Sequence, residues 1–273
     1  MRRFIILGAF HLGLFAGLFG SATIAPVNAQ NAPKSADTGC VGDISGDVTG
    51  VAALDARTFI TAGRREVRLA GLEVPPAESV AAGAGKSALD ALVAGKTVTL
   101  KGLAGKPGGA EDRYGRVVAY GSIGETSLQQ ALLREGRAWV AARIGAKPCA
   151  DMLFSAETEA RNAGRGLWAE PELRPKSAAN PDDIRANKGR YTLVEGVVLS
   201  VRDSSATTYL NFGRRFTRDF SVSIARRDAR LFTAAGIAPK QLEGKRIRVR
   251  GIIEMRSGPI IEATRPEQIE LIP

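Results

Sequence analysis

The sequence predicts a mainly β fold with some α-helix: an OB barrel with packed helices, followed by a second small OB-like β-barrel. Two observations support this fold class. Over residues 47–168, strand patterns come first and helical patterns then alternate with further strands. After residue 190, five strand patterns follow, with a helical piece between the third and the fourth. Both orders fit five-stranded, partly open barrels, and 273 residues suffice for two small domains.

The first region is predicted as a small antiparallel meander followed by helices and strands. The predicted strands are residues 47–54, 58–61, 66–69, 97–101 and 117–120. The predicted helices are residues 86–93, 127–135 and 152–162. Gly95 and Gly136 follow the first two helical patterns, as glycines at helix C-termini commonly do. A Gly/Pro-rich loop at residues 102–110 separates the last two strands.

Residues 169–189 contain three prolines and no apolar period, which predicts a linker. The strand patterns of the second region are residues 191–202, 208–212, 220–224, 246–253 and 259–263, with a helical piece at residues 228–235. We therefore predict domains at residues 40–168 and 190–273.

The N-terminus predicts export. Met1-Arg-Arg precedes an apolar run over residues 4–20, and Val27-Asn28-Ala29 is a small-x-small cleavage pattern, so we predict a signal peptide at residues 1–29. An uncleaved anchor is the alternative, although the run is short and carries four glycines. No later stretch is apolar enough to span a bilayer. The predicted location is the periplasm or the medium.

Removal of residues 1–29 changes the possible chemistry. It takes away the only histidine, His11, and leaves 36 basic against 28 acidic side chains, a net charge of about +8. A chain without imidazole cannot contain a Ser-His-Asp triad, a Cys-His pair or a His-ligated zinc site. Carboxylates, Arg, Lys, Tyr or a hard metal ion must then supply any chemistry.

Two cysteines remain in the exported chain, Cys40 and Cys149. An even count in an oxidising compartment favours a disulfide. The alternative is two unrelated buried thiols.

Four fragments are spaced along the first region: Asp55-Ala-Arg-Thr58, Arg68-Leu-Ala-Gly-Leu-Glu-Val-Pro-Pro76, Asp112-Arg-Tyr-Gly-Arg116 and Gly166-Leu-Trp168. In this spacing, residues 47–168 resemble the thermonuclease (staphylococcal-nuclease-like) family. The resemblance implies an OB barrel whose relatives hydrolyse phosphodiesters with calcium, two metal-binding Asp, a Glu that assists water, and two Arg that stabilise charge on phosphorus.

Several reactive positions differ from the family pattern. The two arginines are retained as Arg68 and Arg116, and Glu73 stands where the second Asp belongs. Arg57 replaces the other metal-binding Asp, and Pro76 replaces the Glu. A guanidinium repels calcium, and a proline ring cannot orient water. We therefore expect no metal and no cofactor, with Ca²⁺ bound only if a rearranged site is active.

By the same resemblance, Arg113 and Tyr114 stand near the nucleotide. A structural role is the alternative for the two retained arginines, with Arg68 paired to Glu73 or a loop carbonyl and Arg116 paired to Asp112.

Most of the excess positive charge falls in the second region. Residues 190–273 hold 15 basic and 9 acidic side chains, against 16 and 15 in residues 40–170. Along one predicted strand, Arg246, Arg248 and Arg250 alternate with apolar residues, which predicts a basic face towards solvent. Basic side chains interleaved with aromatic ones suit a polyanion such as single-stranded nucleic acid. The alternative is a solvated basic surface with no ligand.

Three functions follow as hypotheses. The first is an exported thermonuclease-like protein that binds nucleic acid or another polyanion, with hydrolysis weak or lost. The second is an active metal-dependent phosphodiesterase whose rearranged site uses Arg68, Arg116, Glu73 and Glu78. The third is an envelope module that binds protein partners, since OB faces do not fix their ligand.

Overall fold

The structure is a computed structural model that describes residue 40 and residues 44–103, 110–144 and 147–273. In the first half of the chain the elements are β1 (Ile44–Ala53), β2 (Thr58–Thr61), β3 (Glu66–Leu69), β4 (Leu72–Glu73), α1 (Val80–Val93), β5 (Thr97–Lys101), β6 (Ala110–Glu111), β7 (Val117–Ile123), β8 (Thr126–Ser127), α2 (Leu128–Arg134), β9 (Trp139–Val140) and α3 (Lys147–Asn162). The predicted signal peptide, the lead segment up to residue 39 and residues 104–109 of the predicted loop lie outside the described residues.

Five of these strands close a barrel, as the sequence predicts. β1 pairs antiparallel with β2 and β5, β2 with β3, and β5 with β7. The parallel pair between β3 and β7, with Val67 opposite Val117, closes the ring. Apolar side chains that alternate along the strands fill its interior, among them Phe59, Val67, Leu69 and Val98. The first half is therefore an OB barrel with packed helices.

Helix α1 begins six residues earlier than predicted. Its N-terminus is capped by the Ser79 hydroxyl, which accepts a hydrogen bond from the Ala82 N–H (3.1 Å). Gly83 and Gly85 weaken the helical pattern in the sequence. Gly85 is nevertheless needed, because a Cβ there would lie 2.5 Å from Ala56 Cβ. Close packing against the barrel therefore outweighs the low helix propensity of glycine.

The backbone at Gly136, after α2, packs closely against the backbone at Gly166, after α3. Gly136 and Gly166 both have positive φ (66° and 53°), and a Cβ on Gly136 would lie 2.2 Å from the Arg165 carbonyl oxygen. The Leu167 N–H donates to the Gly136 carbonyl (2.8 Å). This contact seats Leu167 and Trp168 in the interior.

The predicted disulfide is confirmed. Cys40 and Cys149 are bonded, which ties the segment ahead of β1 to α3 across 109 residues of sequence. Both cysteines are buried in the barrel's core cluster. A loop of this length corresponds to about 4 to 5 kcal/mol in the chain-entropy model.

In the second half of the chain the elements are β10 (Lys176–Ser177), α4 (Pro181–Ala186), β11 (Tyr191–Val197), β12 (Ser200–Asp203), β13 (Thr207–Asn211), β14 (Ser221–Ala225), α5 (Ala229–Ala234), β15 (Arg246–Ile252), β16 (Glu254–Met255), β17 (Pro259–Glu262) and β18 (Ile269–Leu271). Residues 169–189 differ from the predicted linker, because they contain β10, which pairs in parallel with β11, and α4. Ile184 of α4 is fully buried in the second core cluster.

The strands of the second half form two sheets, one of four strands and one of five. β12 pairs with β13, β13 with β14, β14 in parallel with β17, and β16 with β17. β11 pairs with β15. Only two residues separate β11 from β12, and one residue separates β15 from β16. This order fits the predicted OB-like module, whose identity stays a prediction. No helix in the described part of the chain is long and apolar enough to cross a membrane.

Candidate anion-binding site

An ion pair occupies the positions where the resemblance implies metal-binding carboxylates. Arg57 lies just before β2, and its backbone N–H donates to Asp55 Oδ1 (2.7 Å). Its guanidinium Nη1 donates to Glu73 Oε1 on β4 (2.6 Å) and to the Leu72 carbonyl (3.1 Å). Both side chains are largely buried. The guanidinium expected to repel calcium therefore also neutralises the carboxylate at the second metal position.

Arg68 lies on β3 and differs from its neighbours in having no ion pair. It is half-buried, and among the described residues no carboxylate lies within ion-pair distance of its guanidinium. Burial lowers the pKa of Arg68, and the nearby Arg57 charge lowers it further. The proposed pairing of Arg68 with Glu73 is wrong, because Arg57 takes that carboxylate. Burial and the neighbouring Arg57 charge therefore make the charged form of Arg68 less favourable than it is in water. A bound anion would offset that loss.

Arg116 does pair with Asp112, as the structural alternative predicts. Its Nη2 lies 2.7 Å from Asp112 Oδ2, and its Nε donates to the same oxygen (2.8 Å). This hydrogen bond raises the pKa of Arg116. Burial raises the pKa of Asp112, but hydrogen bonds from the Arg116 side chain and from the backbone N–H groups of Tyr114 and Arg116 lower it by more. The pair stays charged and fixes the turn before β7.

Tyr114 and Arg113 lie exposed on that turn. The Tyr114 side chain is 66% exposed, and two guanidinium carbons flank its ring, Arg113 at 4.8 Å and Arg116 at 5.1 Å from the centroid. Cations over a ring face are attracted by its quadrupole. The structure thus joins an exposed aromatic ring to arginines, a combination that suits a nucleotide's base and phosphate.

Pro76 precedes α1 and has no side-chain oxygen. Its carbonyl accepts hydrogen bonds from the Ser79 N–H (2.9 Å) and hydroxyl (2.7 Å), so it lies in the turn that leads into α1. Glu78, the replacement base of the enzyme hypothesis, is exposed, and its carboxylate lies 3.9 Å from Arg190 of the second half.

The residues present do not fit a bound calcium ion. Ca²⁺ takes six to eight hard oxygens, mostly from carboxylates. At this site the Glu73 carboxylate is bonded to Arg57 and the Asp112 carboxylate to Arg116, while Arg68 adds an unpaired charge. Cations near an aromatic ring fit an anion instead.

The predicted basic face of β15 is wrong for two of its three arginines. Arg246 is exposed, but Arg248 is 7% exposed and Arg250 is fully buried. The reason is tertiary, because Arg250 contacts Glu157 of α3 and Arg248 pairs with Glu195 on β11 and with Glu270 on β18. Arg248 and Arg250 are therefore withdrawn from solvent and cannot form the predicted polyanion surface.

Arg250 is the centre of a buried ion-pair network between the two halves. Its Nη2 lies 2.9 Å from Glu157 Oε2 of α3 and also contacts Glu270 Oε1. Burial lowers the pKa of Arg250, but Glu157 and Glu270 raise it by more. The pKa of Glu270 is lowered, because Arg250 and Arg248 outweigh the effect of burial.

This network reaches the strand beside the candidate site. Arg250 Nη1 and the Tyr191 hydroxyl both donate to the Val140 carbonyl (3.0 and 2.8 Å), and the Val140 N–H donates to Glu157. Val140 belongs to β9, which pairs with β4, where Glu73 lies. The second half thus braces the strand pair that carries Glu73.

Sequence reasoning missed this network although one signal for it was present. Glu157 occurs on the apolar face of α3, spaced with Leu153, Ala156 and Ala160. A carboxylate at such a position requires a buried cationic partner.

Fold and site together define the first half as an OB barrel of the nuclease type with an arginine-rich surface site. Residues 66–170 match the family model described as staphylococcal nuclease homologue, so the chain carries a staphylococcal-nuclease-like domain, as the motifs predict. A search of curated proteins found no match to this chain.

Proposed function

We propose that this protein is exported and binds nucleic acid or another polyanion through its staphylococcal-nuclease-like domain, without hydrolysing it. The observation that carries the proposal is the Arg57–Glu73 ion pair at 2.6 Å. It places a cation where the family pattern has a carboxylate and occupies the remaining carboxylate. A nuclease fold fits nucleic-acid binding.

We infer that hydrolysis is lost because the site supports neither calcium binding nor water activation. A calcium ion would have to displace Arg57 from Glu73, against the Coulomb repulsion of a unit charge a few ångströms away. Water activation would need a base, and Pro76 has none. Arg68 and Arg116, by contrast, keep the forked donors that match phosphate oxygens.

Export is supported by the leader pattern together with the disulfide between Cys40 and Cys149. Structural disulfides persist in oxidising compartments and are rare in the cytosol. The periplasm and the external medium both meet this condition.

The test is a paired binding and cleavage assay. We expect the purified protein to bind a labelled single-stranded DNA oligonucleotide and to leave it intact at about 10 mM calcium, a concentration above the Kd of even weak protein calcium sites. The double variant Arg57→Asp with Pro76→Glu should bind calcium in calorimetry and cleave the oligonucleotide. Calcium-dependent cleavage by the unmodified chain, abolished by Arg68→Ala, would establish the enzyme hypothesis instead.

A further inference from the structure

We propose that the turn between β13 and β14, residues 213–219, is a second contact for single-stranded nucleic acid, in which a base stacks on Phe216 and phosphates bind Arg214 and Arg215. This inference rests on the proposed polyanion function and adds a site on the other half of the molecule. The polyanion contact that the sequence predicted on β15 is thus proposed at this turn instead.

The exposure of Phe216 is the first observation. Its side chain is 72% exposed, the largest exposure of any aromatic residue in the described part of the chain. Leaving a Phe ring in water forgoes about 1.5 to 3 kcal/mol of burial. Neighbours in the turn are polar or glycine, so the ring stands alone.

Hydrogen bonds and close packing hold the turn that presents this ring. The Asp219 carboxylate accepts from the Arg215 N–H (2.8 Å), and the Asp219 N–H donates back to the Arg215 carbonyl (2.7 Å). Gly213 packs so closely on Asp219 that a Cβ would lie 2.1 Å from its Oδ2. On the other side, a Cβ on Gly258 would lie 3.0 Å from the Phe216 carbonyl oxygen. A fixed backbone lowers the entropic cost of binding.

The arginines that precede Phe216 in the turn are available to bind a ligand. Arg214 and Arg215 are exposed, and in the described part of the chain neither guanidinium forms a hydrogen bond or an ion pair. Arg218 has only a half-exposed pair with Asp182 (3.4 Å). Other exposed arginines of this half are engaged: Arg226 donates to the Ser205 carbonyl, and Arg227 lies 3.7 Å from Asp228.

One ring with two free guanidinium groups matches a nucleotide better than a bilayer. A base offers a flat face to one ring, and each phosphate offers oxygens to one guanidinium. Membrane docking needs a broader apolar face, or several anchoring signals together. The first half also has arginines beside an exposed ring, where Arg113 and Arg116 lie near Tyr114, although Arg116 is paired with Asp112.

The experiment measures binding of the purified protein to a fluorescent 20-residue thymidine oligonucleotide at several salt concentrations. Phe216→Ala should weaken binding about five-fold or more with an unchanged melting temperature. Arg214→Ala with Arg215→Ala should reduce the slope of log affinity against log salt by about 1.4. The matched control Arg226→Ala with Arg227→Ala removes the same charge and should change the slope by much less. In Phe216→Trp, the added indole fluorescence should be quenched on binding.

The outcomes separate the alternatives. If Phe216→Ala and the arginine variant bind like the unmodified protein while Arg68→Ala is weakened, the turn is not a contact and the proposed function survives. If no variant differs because the unmodified protein does not bind, both proposals are wrong. If the turn variants lose affinity for phosphatidylglycerol vesicles and keep it for the oligonucleotide, the turn binds membranes and the nucleic-acid inference is overturned.

Discussion

Arginines of the two halves of this protein have opposite environments although they lie on comparable strands. Arg68 on β3 is half-buried beside other cations and forms no ion pair within the described residues. Arg250 on β15 is fully buried and bonded to Glu157 and Glu270. The comparison teaches that residue type and strand position do not decide whether an arginine binds a ligand. Whether an arginine can bind a ligand depends on the carboxylates near it and on whether another element buries its side chain.

Breaking the interior network should have the largest effect. Arg250→Met leaves the fully buried Glu157 with only the Val140 N–H and Arg161 at 3.6 Å, so we expect the free energy of unfolding to fall by about 3 to 5 kcal/mol. Denaturant unfolding measures the loss. Arg246→Met on the same strand, whose exposed pair with Glu195 spans 3.7 Å, should cost less than about 1 kcal/mol. Equal losses in the two variants would mean that Arg250 is no more structural than a surface arginine.

Removing the unpaired arginine should affect binding rather than stability. Arg68→Ala should weaken oligonucleotide binding by about 1.5 to 3 kcal/mol, the value of a hydrogen bond to a charged group. Unfolding should change little or become less favourable, since repulsion from Arg57 is relieved. The control is Arg65→Ala, which removes the same charge from an exposed arginine paired with Glu111. A stability loss without a binding loss would show that Arg68 is structural.

The third and smallest effect is on pH dependence. Because the pKa of Glu270 is lowered in the folded state, its contribution to stability is present above its unfolded pKa, about 4.3, and is lost as pH falls through the folded pKa. We expect the free energy of unfolding to fall from pH 5 towards pH 3. Glu270→Gln should flatten this decline, whereas Glu254→Gln, half-exposed beside Arg256, should leave it steep. An unchanged decline in Glu270→Gln would exclude this carboxylate as its source.

Local patterns were enough for much of the fold. The strand patterns at residues 58–61 and 66–69 predicted β2 and β3 with the bounds that the structure has. The start of α1 was missed because Gly83 and Gly85 weaken helical propensity, and the contact of Gly85 with Ala56 is invisible in sequence. The linker prediction failed similarly, since the Ile184 side chain of α4 becomes apolar core only when the second half folds around it.

The sequence alone determined the strand order, the pairing of the two cysteines and the presence of Arg57 and Pro76, because these depend on local periodicity, residue count and residue type. Only the tertiary structure decided that Arg57 pairs with Glu73, and that Arg250 is interior while Phe216 is exposed. The physical reason is that side-chain charge is intrinsic to a residue, whereas its neutralisation and its access to water depend on groups that are distant in sequence.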